Sequence, residues 1–170
     1  AGSHGSASFE RLFTACVRDD AEQLGDLLSE GYDPTKGDYD QRTPLQAAVL
    51  KGHGDVAKLL RSSGASLGWD DFTASGELCE ASKKGNLEKL DLMLICGASV
   101  NAADYDKRTC LHLAASTGNL HVVEALLKHS ADINFKDRWG GTALADAERE
   151  GFAQVAELLR KNGGQVVHDG

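Results

Sequence analysis

The chain has 170 residues, of which 41% are hydrophobic and only two are proline, and its formal net charge is −8. This apolar content is enough to bury a core, and it excludes disordered and collagen-like chains. Because the chain is acidic and has no clusters of lysine and arginine, we expect no nucleic acid partner, and no apolar run is long enough for direct membrane insertion.

One aspartate recurs every 33 residues, at Asp38, Asp71, Asp104 and Asp137. Leucine, alanine and glycine recur in the same register, at Leu45, Leu78, Leu111 and Leu144, at Ala48, Ala81, Ala114 and Ala147, and at Gly52, Gly85, Gly118 and Gly151. A fixed period of this length indicates a stack of structural repeats. The predicted units are 7–37, 38–70, 71–103, 104–136 and 137–165, with a cloning remnant at 1–6 and a tail at 166–170.

Each unit reads as two short helices followed by a loop. In "TPLQAAVLKG", Thr43 can cap the first helix, Pro44 suits its first turn, and Gly52 ends it. "DVAKLLRSSG" then has the apolar spacing of a second helix, which Gly64 stops. Helices this short are marginal alone, so neighbouring units must cover their apolar faces.

The 33-residue period, with "TPLQAA", "TCLHLAA", "GASVNAAD" and "SADINFKD", resembles the ankyrin-repeat family. The resemblance implies an all-α solenoid of about five helix-turn-helix repeats joined by β-hairpin fingers. The first repeat is degenerate, with "FERLFTACVRDD" in the first-helix slot, and the fifth is expected to close the C-terminal end.

The same resemblance implies structural roles for three polar residues. His112 would hydrogen-bond the backbone of a neighbouring loop, and Asn101 and Asn134, which precede the fingers, would occupy a structural hydrogen-bonding position. Hydroxylation of Asn134, in "LLKHSADIN", stays open as an alternative. The positions that match His112 in other repeats hold Gln46, Cys79 and Ala145, which speaks against one role shared by all repeats.

No metal, cofactor or catalytic site is predicted. Asp38 and Asp40 alternate as at the start of a calcium loop, but Arg42 takes the fifth position and Val49 the twelfth, where oxygen ligands are needed. No nucleophile, base and oxyanion donor come together, so we expect no enzyme activity. The cysteines Cys16, Cys79, Cys96 and Cys110 form no CxxC pair, and we expect reduced core residues of a cytoplasmic protein.

The variable positions of the predicted fingers are candidates for binding a protein partner. Tyrosine, tryptophan and arginine are enriched in interface hot spots, because they bury a large area and keep a polar group available. The candidates are Tyr39, Asp40, Arg42, Phe72, Tyr105, Asp106, Arg108, Arg138 and Trp139. The alternative, that each ring packs against its own finger and the next while Asp40 pairs locally with Arg42, stays open.

Glycine is expected at the turn of each finger. The sequence has Gln41, Ala74 and Lys107 there, and only Gly140 keeps the glycine. Because a non-glycine residue at positive φ costs about 1 kcal/mol, fingers that lack the glycine are expected to bend differently.

Three segments narrow the resemblance to particular groups of ankyrin proteins: "GELCEASKKGNLEKL", "DYDKRTCLHLAASTGN" and "KDRWGGTALADA". They are similar to ankyrin domains of plant outward-rectifying potassium channels, of asparaginase- and glutaminase-type amidohydrolases, and of plant Raf-like kinases of the integrin-linked type. In all three the array is a regulatory or scaffolding part of a longer chain. We therefore expect a non-catalytic protein-interaction module. The alternatives are a regulatory domain that self-associates within its parent assembly, which could be a membrane protein, and a sensor of a small molecule or metal.

Overall fold

The protein is described by a computed structural model that covers residues 3–167, and this part of the chain is all helical. The predicted cloning remnant at 1–6 and tail at 166–170 lie partly outside the described residues. Ten α-helices occur within residues 3–167: α1 (Ser3–Val17), α2 (Ala21–Ser29), α3 (Pro44–Lys51), α4 (Gly54–Ser62), α5 (Asp71–Lys83), α6 (Leu87–Ile95), α7 (Cys110–Ser116), α8 (Leu120–Lys128), α9 (Ala143–Glu150) and α10 (Ala153–Lys161). Over the same range there is no regular strand, and no helix is both long and apolar enough to cross a membrane.

The helices fall into two compact units. The first unit comprises the described residues up to 68 together with 95–97, and in it α1 packs against α3 and α2 against α4. The second unit comprises 69–94 and the described residues from 98 onward. In it α5 packs against α7, α7 against α9, and α8 against α10. Within each unit, alternate helices thus pack together, as neighbouring helix pairs in a repeat array do.

The leucines and alanines that repeat every 33 positions lie in the core. All four periodic leucines and all four periodic alanines are buried, with at most 3% of their surface exposed. Leu12 and Ala15, which take these positions in the degenerate first repeat, are buried as well. Because burying one leucine side chain stabilises a fold by about 2 kcal/mol, the period marks the residues that hold the stack together.

The predicted helix ends are confirmed in the second repeat. Thr43 is the N-cap of α3, its hydroxyl accepts a hydrogen bond from the Gln46 backbone, and Pro44 occupies the first turn. Gly52 ends the helix with a left-handed backbone, at φ 76°. In the first repeat Asp19 stands where this glycine would be, and it adopts the same conformation, at φ 57°.

The third repeat departs from the prediction at its start. A finger was expected at residues 71–75, but α5 already begins at Asp71, so Phe72 lies on a helix and not at a fingertip. The Asp70 side chain caps this helix by accepting a hydrogen bond from the Thr73 backbone, at 2.8 Å. Ala74, a strong helix former, occupies the turn position that glycine would fill. These two residues explain why the segment continues as a helix.

The fingers of the second, fourth and fifth repeats are tight turns, and they keep one geometry. Gln41, Lys107 and Gly140 have φ of 61°, 57° and 80°, so the expectation of differently bent fingers is wrong for Gln41 and Lys107. An isolated bridge between Ala103 and Thr109 is the only pairing of strand type in the described part of the chain.

Because Lys107 has a positive φ, the backbone strain in the finger of the fourth repeat can be tested. Lys107→Gly is expected to raise the free energy of unfolding by about 0.5–1 kcal/mol, because glycine adopts the left-handed conformation without a steric cost. Gly140→Ala is the matched control and should lower it by a similar amount. Urea unfolding measures both, and a loss of stability in Lys107→Gly would contradict the strain argument.

Candidate partner-binding face

Three of the four periodic aspartates, Asp38, Asp104 and Asp137, hold the fingers in their folded conformation. One carboxylate oxygen of Asp38 accepts hydrogen bonds from the backbone of Asp40 and Arg42, each at 2.9 Å. Asp104 binds the backbone of residues 106 and 108 in the same way, and Asp137 that of residues 139 and 141. The sequence showed the period of these aspartates but not this role. Each of these three aspartates therefore stabilises the turn of its own finger.

In the second repeat the arginine of the finger stays at the surface. The Arg42 guanidinium contacts Asp38 at 2.9 Å and Asp40 at 3.4 Å, and its side chain is 65% exposed. The hydrogen bond from the Arg42 backbone, with further bonds from its side chain, holds the pKa of Asp38 below its usual range. The local pair of Asp40 and Arg42, which the sequence left open, is thus present in the structure.

In the fourth repeat the matching arginine points inward. The Arg108 guanidinium donates to Asp146 on α9 at 3.1 Å, and the Asp146 side chain is only 3% exposed. Arg149 donates to the other oxygen of Asp146 at 2.9 Å. The Nε of Arg108 is buried and lacks a hydrogen-bond partner among the described residues. The two fingers with the sequence Tyr-Asp-Xaa-Arg therefore differ: Arg42 is a surface residue, and Arg108 ties its finger to the fifth repeat.

The sequence does not single out Asp146, which the structure shows to be buried. No local pattern announces its role, since its partner Arg108 lies 38 residues earlier.

Aromatic rings are exposed at three fingertips and at the start of α5. Tyr39 in the first unit is fully exposed, and Tyr105 and Trp139 in the second unit are 84% and 69% exposed. Phe72 is 56% exposed, and its ring centroid lies 5.0 Å from that of Tyr105. Phe72 and Tyr105 therefore cover each other only in part, and both keep apolar surface in contact with solvent.

Asp106 and Arg138 join the fourth and fifth fingers. The Arg138 backbone donates to the Asp106 carbonyl at 2.8 Å, and the two side chains form an ion pair at 3.5 Å. This contact brings Tyr105 and Trp139, which flank the pair along the chain, onto neighbouring fingertips. We call Phe72, Tyr105, Asp106, Arg138 and Trp139 the finger face.

His112 is buried and hydrogen-bonded at both ring nitrogens. Nδ1 accepts from the Thr109 backbone at 3.1 Å, and Nε2 lies 3.0 Å from the Gly141 carbonyl oxygen. Gln46 makes the equivalent pair of bonds in the first unit, because its side chain accepts from the Thr43 backbone and donates to the Leu67 carbonyl. The role is therefore shared by Gln46, although the residue types differ.

Asn101 and Asn134 each hold the loop of the following repeat. The Asn101 side chain accepts from the Asp132 backbone at 2.7 Å, and that of Asn134 accepts from Gln165 at 2.8 Å. The Asn134 amide also donates to the Gly163 carbonyl at 3.1 Å.

A shallow cavity of about 270 Å³ lies beside the finger face, and its lining includes Phe72, Cys79, Lys83 and Arg108. All four cysteines are free, but Cys79 is only half-buried on the cavity wall, so the expectation of four core cysteines is wrong for this residue. Hydrogen bonding with the Cys110 thiol lowers the pKa of Cys79 from 9.0 to about 7.

Comparison with known families accounts for most of the chain. Residues 78–169 match a family described as ankyrin repeats in three copies, and residues 40–71 match a single ankyrin repeat. The chain belongs to the ankyrin-repeat family. The predicted family and the all-helical repeat fold are thereby confirmed, and ankyrin repeats are non-catalytic modules of protein–protein interaction.

Two plant proteins share part of the ankyrin sequence. The chain is 40% identical over 70 residues to the potassium channel GORK of Arabidopsis thaliana and 42% identical over 67 residues to the potassium channel KOR1 of Oryza sativa subsp. japonica. These matches cover 41% and 39% of this chain, but only 8% and 7% of the channels. They are consistent with the resemblance to plant potassium channels that the sequence motifs indicated.

Proposed function

We propose that this ankyrin domain binds a protein partner through the finger face. The observation that carries the proposal is the exposure of Tyr105 and Trp139 on neighbouring fingertips, with Phe72 beside Tyr105. Exposed aromatic rings on pre-ordered turns lose little conformational entropy on binding, which favours affinity. The ion pair of Asp106 and Arg138 adds one charge of each sign to the same surface.

The fingertip of Tyr39, Asp40 and Arg42 in the first unit is a second proposed contact. Tyr39 is fully exposed, and the two charged side chains beside it are paired with each other and with Asp38. We assign Arg108 a supporting role and not a direct contact, because its guanidinium donates to the buried Asp146.

The test is a double substitution, Tyr105→Ala with Trp139→Ala. Truncating two hot-spot rings is expected to weaken partner binding at least 30-fold, or about 2 kcal/mol, while stability changes little because both rings are exposed. Quantitative affinity capture from a native extract, with wild type and variant as baits, finds the partner, and calorimetry then gives both dissociation constants.

Glu157→Ala with Lys161→Ala serves as the matched control, because it removes an exposed ion pair on α10 without changing the net charge. A partner held equally by wild type, double variant and control would refute the finger face as its binding site.

The similarity to two potassium channels favours a second candidate, in which the domain is a cytoplasmic regulatory part of a longer chain and contacts its own assembly. The four free cysteines fit a reducing compartment. Light scattering after size exclusion tests this candidate: a dimer or larger species that Tyr105→Ala with Trp139→Ala dissociates would support self-association through the finger face. A monomer at all concentrations would refute it for this domain alone.

A further inference from the structure

Two of the four cysteines lie side by side in the second unit. Cys79 is on α5, and Cys110 is the first residue of α7, which packs against α5. The Cys110 sulfur lies 2.8 Å from the Ser82 hydroxyl and 3.6 Å from the Leu78 carbonyl oxygen, so it sits against the turn of α5 that carries Cys79. The Cys110 thiol is also the main group that lowers the pKa of Cys79.

The two thiols differ in how a reagent can reach them. Cys79 is half-buried on the wall of the 270 Å³ cavity, whereas Cys110 is fully buried behind it. Hydrogen bonds from Cys110 and Ser75 lower the pKa of Cys79. Lys83 lines the same cavity, and its positive charge lowers this pKa further. The thiolate is the nucleophilic form of cysteine, so Cys79 combines access with reactivity.

The other two cysteines lack both properties. Cys16 and Cys96 are fully buried, and burial raises the pKa of both, that of Cys16 to about 12. They provide an internal comparison within the same chain.

We propose that Cys79 and Cys110 form a peroxide-reactive pair, in which Cys79 is oxidised first and Cys110 closes a disulfide between α5 and α7. The pair lies beside the finger face, but the proposal does not depend on partner binding.

The chemistry balances with one peroxide per disulfide. The Cys79 thiolate attacks one peroxide oxygen, the O–O bond breaks as an S–O bond forms, and the second oxygen leaves as hydroxide and takes up a proton to give water. The Cys110 sulfur then attacks the sulfenic sulfur of Cys79. An S–S bond forms, the S–O bond breaks, and the hydroxyl leaves with the Cys110 proton as a second water. Two thiols are oxidised and one peroxide is reduced.

The experiment treats the full chain with stoichiometric hydrogen peroxide and follows intact mass. Wild type is expected to lose about 2 Da, as two thiols become one disulfide, and to regain this mass with a dithiol reductant. Peptide mapping without reduction should show the peptide that carries Cys79 linked to the one that carries Cys110. The linked chain should melt about 5 °C higher, because the bond restricts the unfolded state.

Three variants separate the roles. Cys110→Ser is expected to stop at the sulfenic acid, a gain of about 16 Da, whereas Cys79→Ser should show neither change. Cys96→Ser is the control and should behave as wild type. Circular dichroism establishes that each variant is folded, and the wild-type peptide map is decisive even if Cys110→Ser unfolds.

Equal oxidation of all four cysteines, or no linked peptide from folded wild type, would overturn the proposal. So would a disulfide that still forms in Cys79→Ser at the wild-type rate.

Discussion

Replacing Arg108 with alanine is expected to lower the free energy of unfolding of the second unit by about 2 kcal/mol, because it leaves the carboxylate of Asp146 buried with one arginine fewer. The loss falls below that of a fully buried pair, since Arg108 is 32% exposed and Arg149 keeps its own contact with Asp146. Urea unfolding monitored by circular dichroism measures the change.

Arg42→Ala is the matched control, because Arg42 occupies the same position of the second finger. The Arg42 side chain is 65% exposed, so its removal should cost less than about 1 kcal/mol. Arg108→Met retains the apolar stem and separates lost packing from lost charge. Equal losses in Arg108→Ala and Arg42→Ala would mean that the contact with Asp146 adds nothing to stability.

The second large effect is expected at His112. His112→Ala should lower the free energy of unfolding by about 3 kcal/mol, because it opens a cavity and leaves the Thr109 backbone amide and the Gly141 carbonyl without their side-chain partner. Thermal and urea unfolding measure the loss.

His112→Gln is the control that the chain itself suggests, since Gln46 makes the same two bonds in the second repeat. This variant should retain most of the stability, within about 1 kcal/mol of wild type. If His112→Gln were as unstable as His112→Ala, the hydrogen bonds would not be the source of the effect.

The repeat period accounts for what the sequence predicted well. The leucine and alanine positions face the core in every repeat, so these periodic residues identify much of the core without any structure. Thr43 and Gly52 mark helix ends through local chemistry, which depends only on neighbouring residues.

The features that the sequence missed or predicted wrongly depend on contacts with distant residues or on local signals that oppose the repeat period. Asp146 is paired with Arg108, 38 residues away, and a sequence window around α9 cannot contain that partner. Phe72 was placed on a finger by the period, but Ala74 and the Asp70 cap continue the helix through that segment. Cys79 was expected to be a core residue, yet it lines a cavity, and the repeat period carries no information on cavities.

Four long-range bonds from side chains to the backbone of loops share one order along the chain. Gln46 binds the Leu67 carbonyl, Asn101 the Asp132 amide, His112 the Gly141 carbonyl and Asn134 the Gln165 amide, so in these four bonds the side chain precedes the backbone group. On the ribosome each side chain therefore emerges before the loop that it binds. Nascent loops meet a partner that has already been made, which suits folding from the N-terminus as synthesis proceeds.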